Sequence, residues 1–586
     1  MDLPREYLFS ASLYTFLEAI LLKREKVKRY GDCTRSFPNS NHLRFRKKRS
    51  NIFRIGKLKN LGKRFNMHIV VPMSGIGKRF IDAGYSVPKP LILVENRPII
   101  AHVVDMFPGE TKFTFICNED HLRETNMKSV LEGLAPNANI ISIEPHKKGP
   151  VYAVSQVYHL IDDDEEVIVN YCDFGKDWDF SKFKQDVRDQ KADGAISAYR
   201  GFHPHMLGTI NYAFMREKEN WMLEIQEKKP FTNDRMSEYA SDGTYYFRTG
   251  SILKKYFDLT MEKLLDVNGE FYVSVVYNLL VNDSLKVRIF EIEHMLQWGT
   301  PGELKEYEHW SSIFKNLALK SWTNQKKRNS INLIPMAGKG SRFAEKGFIT
   351  PKPLLAVDGE AMVVHAAKCL PEAERNVFVC LKDHLDNYPI EKTLKSAFTN
   401  VSIVSLDKVT EGQAITAALG LEHENQETEL FIAASDNGML YDHAKLDKFL
   451  FDTKPDVMVF TFSNSPMMDR NPKMYGWVRK EGTNALSVSV KIPISETPSK
   501  DDAIVGAFYF KNARLYKTVL DQLMKDNDRV NGEFYIDTMV GTAIKMNLNV
   551  KVFPIDYYVC WGTPDDYHTY LYWQTFFRKT KWHPYK

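Results

Sequence analysis

The chain has 586 residues, of which 44% are hydrophobic and 26% charged, and its net charge is +5. This length predicts two or more domains, and the composition excludes a collagen-like, wholly disordered or multi-spanning membrane protein. The charge is uneven: residues 1–66 carry 17 Lys/Arg against 5 Asp/Glu, net +12, and the rest carry 62 against 69, net −7.

In chain order, residues 1–66 read as a basic, poorly ordered extension. Leu8–Leu22 is apolar but interrupted by Glu18 and too short to span a bilayer, so weak membrane-surface contact, with Lys23–Arg29 on headgroups, is the most it offers. No nucleic-acid partner is expected. The first convincing strand is His68–Val71, followed by apolar runs at Phe113–Cys117, Val167–Asn170 and Ala195–Tyr199. Helical stretches at Ile99–Met106 and Val151–Leu160 lie between them, and Glu303–Leu319 reads as a further helix. The six cysteines are scattered without a CxxC pair, which predicts a reducing, cytoplasmic location.

The pattern then repeats. Pro72-Met73-Ser74-Gly75-Ile76-Gly77-Lys78-Arg79-Phe80 returns as Pro335-Met336-Ala337-Gly338-Lys339-Gly340-Ser341-Arg342-Phe343, an offset of 263. Pro88-Lys89-Pro90-Leu91, Asp173, Lys228, Gly269-Glu270-Phe271-Tyr272 and Trp298-Gly299-Thr300-Pro301 all return at that offset. Leu207-Gly208 is matched to Tyr475-Gly476 with a local slip. A period of this size is a whole domain. The expected organisation is a domain at 67–310, a linker at 311–329, a second domain at 330–575 and a tail at 576–586. Alternating strands and helices predict an α/β fold with mostly parallel central sheets and the ligand at the strand C-terminal ends.

Two glycines one residue apart after a strand let backbone N–H groups approach phosphates, and the arginine adds charge. Neither the dinucleotide fingerprint nor the P-loop pattern is complete at either copy. Ten residues on, a lysine sits between two prolines, which restrict its backbone and hold the ammonium in place. A fixed lysine and arginine beside a Gly-rich turn suit a triphosphate.

The set of motifs resembles the sugar-phosphate nucleotidyltransferases, or nucleotide-sugar pyrophosphorylases, and is most similar to their bacterial capsule and surface-polysaccharide branch. The resemblance covers both copies and implies tandem Rossmann-like (GT-A-type) domains. It implies that Gly75, Gly77 and Arg79, with Gly338, Gly340 and Arg342, cradle the triphosphate of an NTP, and that Lys89 and Lys352 neutralise the α-phosphate. Asp173 and Asp436 would hold Mg²⁺, and Lys228 and Lys491 would grip the phosphate of a small-molecule acceptor. Gly149 and Gly412 would lie at the nucleobase, which Gln413 could read by hydrogen bonding; Pro150 leaves copy 1 without that donor.

Some positions depart from the family. Gln297 and Cys560 stand where many relatives carry a second metal-binding aspartate. Glu293 and Asp556, or Glu270 and Glu533, are the candidate substitutes. Trp298 and Trp561 read as packing residues, and His146, His203 and His205 have no spacing that suggests metal or nucleophilic work. Two other readings stay open: a glycosyltransferase using Asp177-Trp178-Asp179, and one active copy beside a regulatory nucleotide-binding copy.

Overall fold

The computed structural model describes residues 66–319 and 327–586. The basic arm, its Leu8–Leu22 segment and residues 320–326 of the expected linker lie outside the described residues. Among the described residues no helix is long and apolar enough to cross a membrane.

Each copy is built on a nine-stranded sheet. In copy 1 the spatial order is Asn139–Ile143, Lys112–Asn118, His68–Met73, Val167–Asn170, Tyr239–Phe247, Gly194–Tyr199, Val287–Glu291, Trp221–Glu227 and Ala213–Lys218. The first four run parallel, whereas Tyr239–Phe247 runs antiparallel between Val167–Asn170 and Gly194–Tyr199. The sheet is therefore mixed, with a parallel half that carries the Gly-rich turn. Copy 2 repeats this order from Val401–Leu406 to Gly476–Glu481, with Asp502–Phe510 as its antiparallel insert. The three inner strands of the parallel half are buried along nearly their whole length, as continuous Val/Ile/Phe runs require when helices cover both faces, and the edge strand Asn139–Ile143 is half-buried.

The helices that follow Trp-Gly-Thr-Pro join the copies. Pro301–Leu319 and Pro564–Lys579 each begin with proline, whose fixed φ suits a first helical turn. Each is tied back to its own copy at equivalent positions: Ser311 and Lys315 reach Glu95, and Gln574 and Arg578 reach Asp358. Their other faces meet, with Tyr307 against Trp573 and Phe314 against Tyr570 and Phe577. Tyr572 donates to the Met295 carbonyl of the opposite copy at 2.7 Å. Arg470 of copy 2 pairs with the buried Glu306 of copy 1. Both copies accordingly fall within one compact unit, Phe65–Lys586.

Two expectations are corrected. The boundaries at 310 and 575 fall inside these helices, and the supposed tail packs into the core through His583 and Tyr585. The helices continue because Ile313, Phe314, Phe576 and Phe577 are buried in the shared core, and no Gly or Pro stops them. The slip at Leu207-Gly208 does not exist either: Tyr475 pairs with Tyr212, since each carbonyl accepts the N–H of the equivalent lysine, Lys491 or Lys228, at 2.9 Å.

The two cores differ in a buried polar cluster. In copy 1 Lys176 is fully buried and donates to Asp242 at 2.9 Å, Thr244 at 2.6 Å and Ser197 at 3.1 Å, with Asn170 accepting from Thr244. Burial lowers the Lys176 ammonium to about 8 against the pull of Asp242. At the matching positions of copy 2 stand Met439, Val505, Ala507, Phe460 and Ala433, all apolar. A buried ion pair and a well-packed apolar cluster can be nearly equivalent, whereas half a pair is costly. Lys176→Met alone is predicted to destabilise the chain by about 3–5 kcal/mol. Lys176→Met with Asp242→Val, which copies copy 2, is predicted to recover most of that loss; thermal denaturation checks both.

Candidate active site

The strand His68–Met73 ends in Ser74-Gly75-Ile76-Gly77, and Gly77, at φ +73°, opens the short helix Lys78–Asp82. The turn faces Lys89, which starts a 3₁₀ turn between Pro88 and Pro90. Lys89 Nζ donates to Asp173 Oδ2 at 2.7 Å, and in copy 2 Lys352 Nζ donates to Asp436 Oδ2 at the same 2.7 Å. The four side chains are 21–26% exposed, so each pair is shielded from bulk water yet open to a ligand. Burial opposes the Lys89 charge, but Asp173 outweighs it and holds the ammonium above the usual lysine value.

The Trp-Gly-Thr-Pro motif fixes the aspartate from behind. Trp298 N–H donates to the Asp173 carbonyl at 3.2 Å and Trp561 N–H to that of Asp436 at 2.9 Å. A Cβ on Gly299 or Gly562 would lie 3.2 Å from the carboxylate Oδ2. The two indoles are buried against Gly175 and Gly438, as packing residues.

Gly149 and Gly412 are required by geometry. Their φ values are +85° and +130°, and a Cβ at either would come within 2.4–2.7 Å of the backbone of Phe271 or Phe534. That close approach docks each loop on the Gly-Glu-Phe-Tyr segment, with Phe271 N–H donating to Lys148 O at 2.9 Å and Phe534 N–H to Glu411 O at 2.8 Å. Gln413 begins the helix that follows.

Lys228 and Lys491 have φ of +57° and +61°, a left-handed backbone uncommon for lysine. Their ammonium groups donate to Tyr272 OH at 2.6 Å and Tyr535 OH at 3.1 Å. Tyr272 in turn donates to Glu270. The strained backbone and the tyrosine together aim the lysine.

In copy 1 these residues converge on one cavity of about 500 Å³ lined by Gly75, Gly77, Arg79, Lys89, Gly149, Asp173 and Lys228. In copy 2, Gly340 lies against Lys352, Lys352 against Asp436 and Lys491 against Tyr535, the same neighbours at the same positions. Arg79 and Arg342 are exposed and make no salt bridge among the described residues.

Among the proposed second carboxylates, Glu293 is taken up by Lys579 of the other copy at 2.5 Å and Asp556 is exposed. Neither Glu293 nor Asp177 lines the cavity; Asp179 caps a helix by accepting from Lys182 N–H. Glu270, another of the proposed carboxylates, lines the cavity with Asp173, as does Glu303, which sequence reading missed. Burial and then Asp173 raise its carboxyl, while Thr300 and Tyr212 donate to it at 2.8 and 3.1 Å. Its signal was a capping box, Thr300-x-x-Glu303, repeated as Thr563-x-x-Asp566. His146, set aside on spacing, also lines the cavity and meets Ser74 Oγ at 3.2 Å.

Residues 70–276 match the family model described as "Nucleotidyl transferase", and residues 333–466 match the "MobA-like NTP transferase domain" model. The chain carries two nucleotidyltransferase-type domains. The first shares its motifs with the second at one offset, and each presents the Lys–Asp pair at the C-terminal end of its parallel strands. A curated relative, the "Bifunctional protein GlmU" of Bartonella bacilliformis, is 25% identical over 236 residues, 39% of this chain. The match spans about half, 49%, of that relative. Among solved structures, a nucleoside-diphosphate-sugar pyrophosphorylase from Vibrio cholerae RC9 is 20% identical, with TM-score 0.34 over 40% of this chain and 97% of its own. An inositol-1-phosphate CTP transferase from T. maritima is 17% identical, with TM-score 0.35 over 44% and 98%.

In the second nucleotidyltransferase-type domain, burial raises the Asp537 carboxyl from 3.8 to about 7, with Lys491 opposing. The folded chain then holds a proton that the unfolded chain has lost, so stability falls as pH rises from 3.8 towards 7 and is flat above. Asp537→Asn removes this dependence. Its Tm relative to the parent is predicted to be higher at roughly pH 8 than at roughly pH 5, measured by thermal denaturation at both.

Proposed function

We propose that each copy transfers a nucleotidyl group from an NTP to a phosphorylated small molecule, a sugar 1-phosphate, releasing pyrophosphate. The product is a nucleotide sugar of the kind surface polysaccharides are made from. The observation that carries the reading is the Lys–Asp pair held at 2.7 Å beside a Gly-rich turn in both copies. An acceptor phosphate oxygen attacks the α-phosphorus in line, and no protein nucleophile is needed. The turn at Gly75–Gly77 and the Arg79 guanidinium bind the triphosphate, Lys89 meets charge developing at the α-phosphate, and Lys228 orients the acceptor phosphate. Gly338, Gly340, Arg342, Lys352 and Lys491 take these parts in copy 2. Holding both phosphates in place contributes roughly 7–11 kcal/mol.

A hard-oxygen donor set fits a divalent cation. Asp173 with Glu303 nearby, or Asp436 with Asp566, would hold Mg²⁺, and burial keeps the Cys172 thiol protonated at about 12, so no soft ligand competes. An ion held there would supply positive charge to offset that of the substrate phosphates. The free cysteines Cys117, Cys172, Cys369, Cys380 and Cys560 and the NTP substrate support a cytoplasmic location.

The test is pyrophosphate release from each NTP with a panel of sugar 1-phosphates and alcohol phosphates. Lys89→Ala and Lys352→Ala are each expected to lower the kcat of their own copy about 10²–10³-fold with a smaller change in KM for NTP. Release of nucleoside diphosphate instead would overturn the reading in favour of glycosyl transfer. Loss of all release with one lysine and none with the other would leave a single active copy.

A further inference from the structure

The acceptor lysine has a carboxyl neighbour in each copy, but on different elements. In copy 1 Glu227 precedes Lys228 at the end of the strand Trp221–Glu227, and both line the cavity. In copy 2 the strand residue before Lys491 is Val490. The facing helix changes with it. Copy 1 has Ser274 at the second position of the helix Val273–Asn282, and its hydroxyl donates to Glu227 Oε2 at 2.6 Å. Copy 2 has Asp537 at the second position of the helix Ile536–Lys545. Because Ser274 Oγ touches the Glu227 carboxylate, a carboxyl extended from the Ser274 position reaches the same place from the opposite wall.

A third position follows suit. Where copy 1 has Ala213, which lines its cavity, copy 2 has Gly476, and a Cβ there would lie 3.2 Å from Asp537 Cγ. Asp537 Oδ1 is buried with no hydrogen-bond partner among the described residues. A carboxyl oxygen left unpartnered beside a lysine costs stability unless a ligand completes it.

We infer that Asp537 is the residue with which copy 2 hydrogen-bonds a hydroxyl of its acceptor, so that this acceptor is a phosphorylated polyol or sugar rather than a simple alkyl phosphate. The inference rests on Lys491 being the acceptor-phosphate residue. Lys491 takes the phosphate, and Asp537 reads a hydroxyl next to it, replacing a strand glutamate with a helix aspartate. A carboxyl that titrates near 7 both donates to and accepts from hydroxyls at neutral pH, which suits a polyol.

The experiment uses the full chain with Lys228→Ala, so that copy 2 alone presents an acceptor site. Binding of glucose 1-phosphate, galactose 1-phosphate, mannose 1-phosphate, inositol 1-phosphate and methyl phosphate is measured by calorimetry with NTP present. Asp537→Ala is expected to weaken the tightest polyol phosphate about tenfold or more and methyl phosphate less than about twofold. Val490→Glu with Asp537→Ser, which installs copy 1's arrangement, is expected to restore binding to within about threefold. Equal weakening of both ligand classes, no weakening, or no preference over methyl phosphate overturns the inference. Polyol preference that Asp537→Ala abolishes, without pyrophosphate release from any NTP, would sink the nucleotidyl-transfer reading and keep this one. Pyrophosphate release with Asp537-independent binding would do the reverse.

Discussion

In each copy a lysine ammonium and an aspartate carboxylate are held 2.7 Å apart at the mouth of the parallel strands, and the motifs exist to keep them there. The prolines around Lys89 and Lys352 limit the lysine backbone from one side. The backbone N–H of the tryptophan holds the aspartate carbonyl from the other, and a Cβ on the glycine after it, Gly299 or Gly562, would press on the carboxylate at 3.2 Å. A preorganised charge pair of this kind needs little rearrangement when phosphate charge arrives, and little rearrangement is what makes electrostatic catalysis effective. The lysine also protects the carboxylate from being an uncompensated charge in a partly buried site.

Around that frame the copies have diverged by exchanging whole groups of residues. Where copy 1 has the Lys176–Asp242 network, copy 2 is apolar at every matching position, and half of such a pair would be costly. Glu227 precedes Lys228 in copy 1, whereas Asp537 is the carboxyl that Lys491 acts on in copy 2, and the Ser274 and Ala213 positions differ with it. The shared frame presents the same Lys–Asp pair in both copies. The long helices Pro301–Leu319 and Pro564–Lys579 then fuse the copies through one aromatic core.

Much of this was legible in the sequence because it rests on local chemistry. The duplicated anchors and the strand end at Asn170 are short-range features that a Gly, Pro or apolar run announces directly. What was not legible depends on contacts across the chain. Glu303 looked like an ordinary helix-start glutamate, since only the fold sets it beside Asp173. Glu293 looked available because Lys579, 286 residues away, is not its neighbour in sequence. The domain boundaries at 310 and 575 were set inside helices for the same reason: Phe314 and Phe577 pack against the opposite copy. The false slip at Leu207 arose from a shared Gly in a loop with no apolar periodicity to hold the register.

Phosphorus NMR of the intact chain turning over an NTP and a sugar 1-phosphate tests the central claim most directly. The account predicts that the α-phosphate and the acceptor phosphate become one coupled pair of diphosphate resonances as free pyrophosphate appears in equal amount. A nucleoside diphosphate appearing in its place, with no new coupling between the two phosphates, would contradict it.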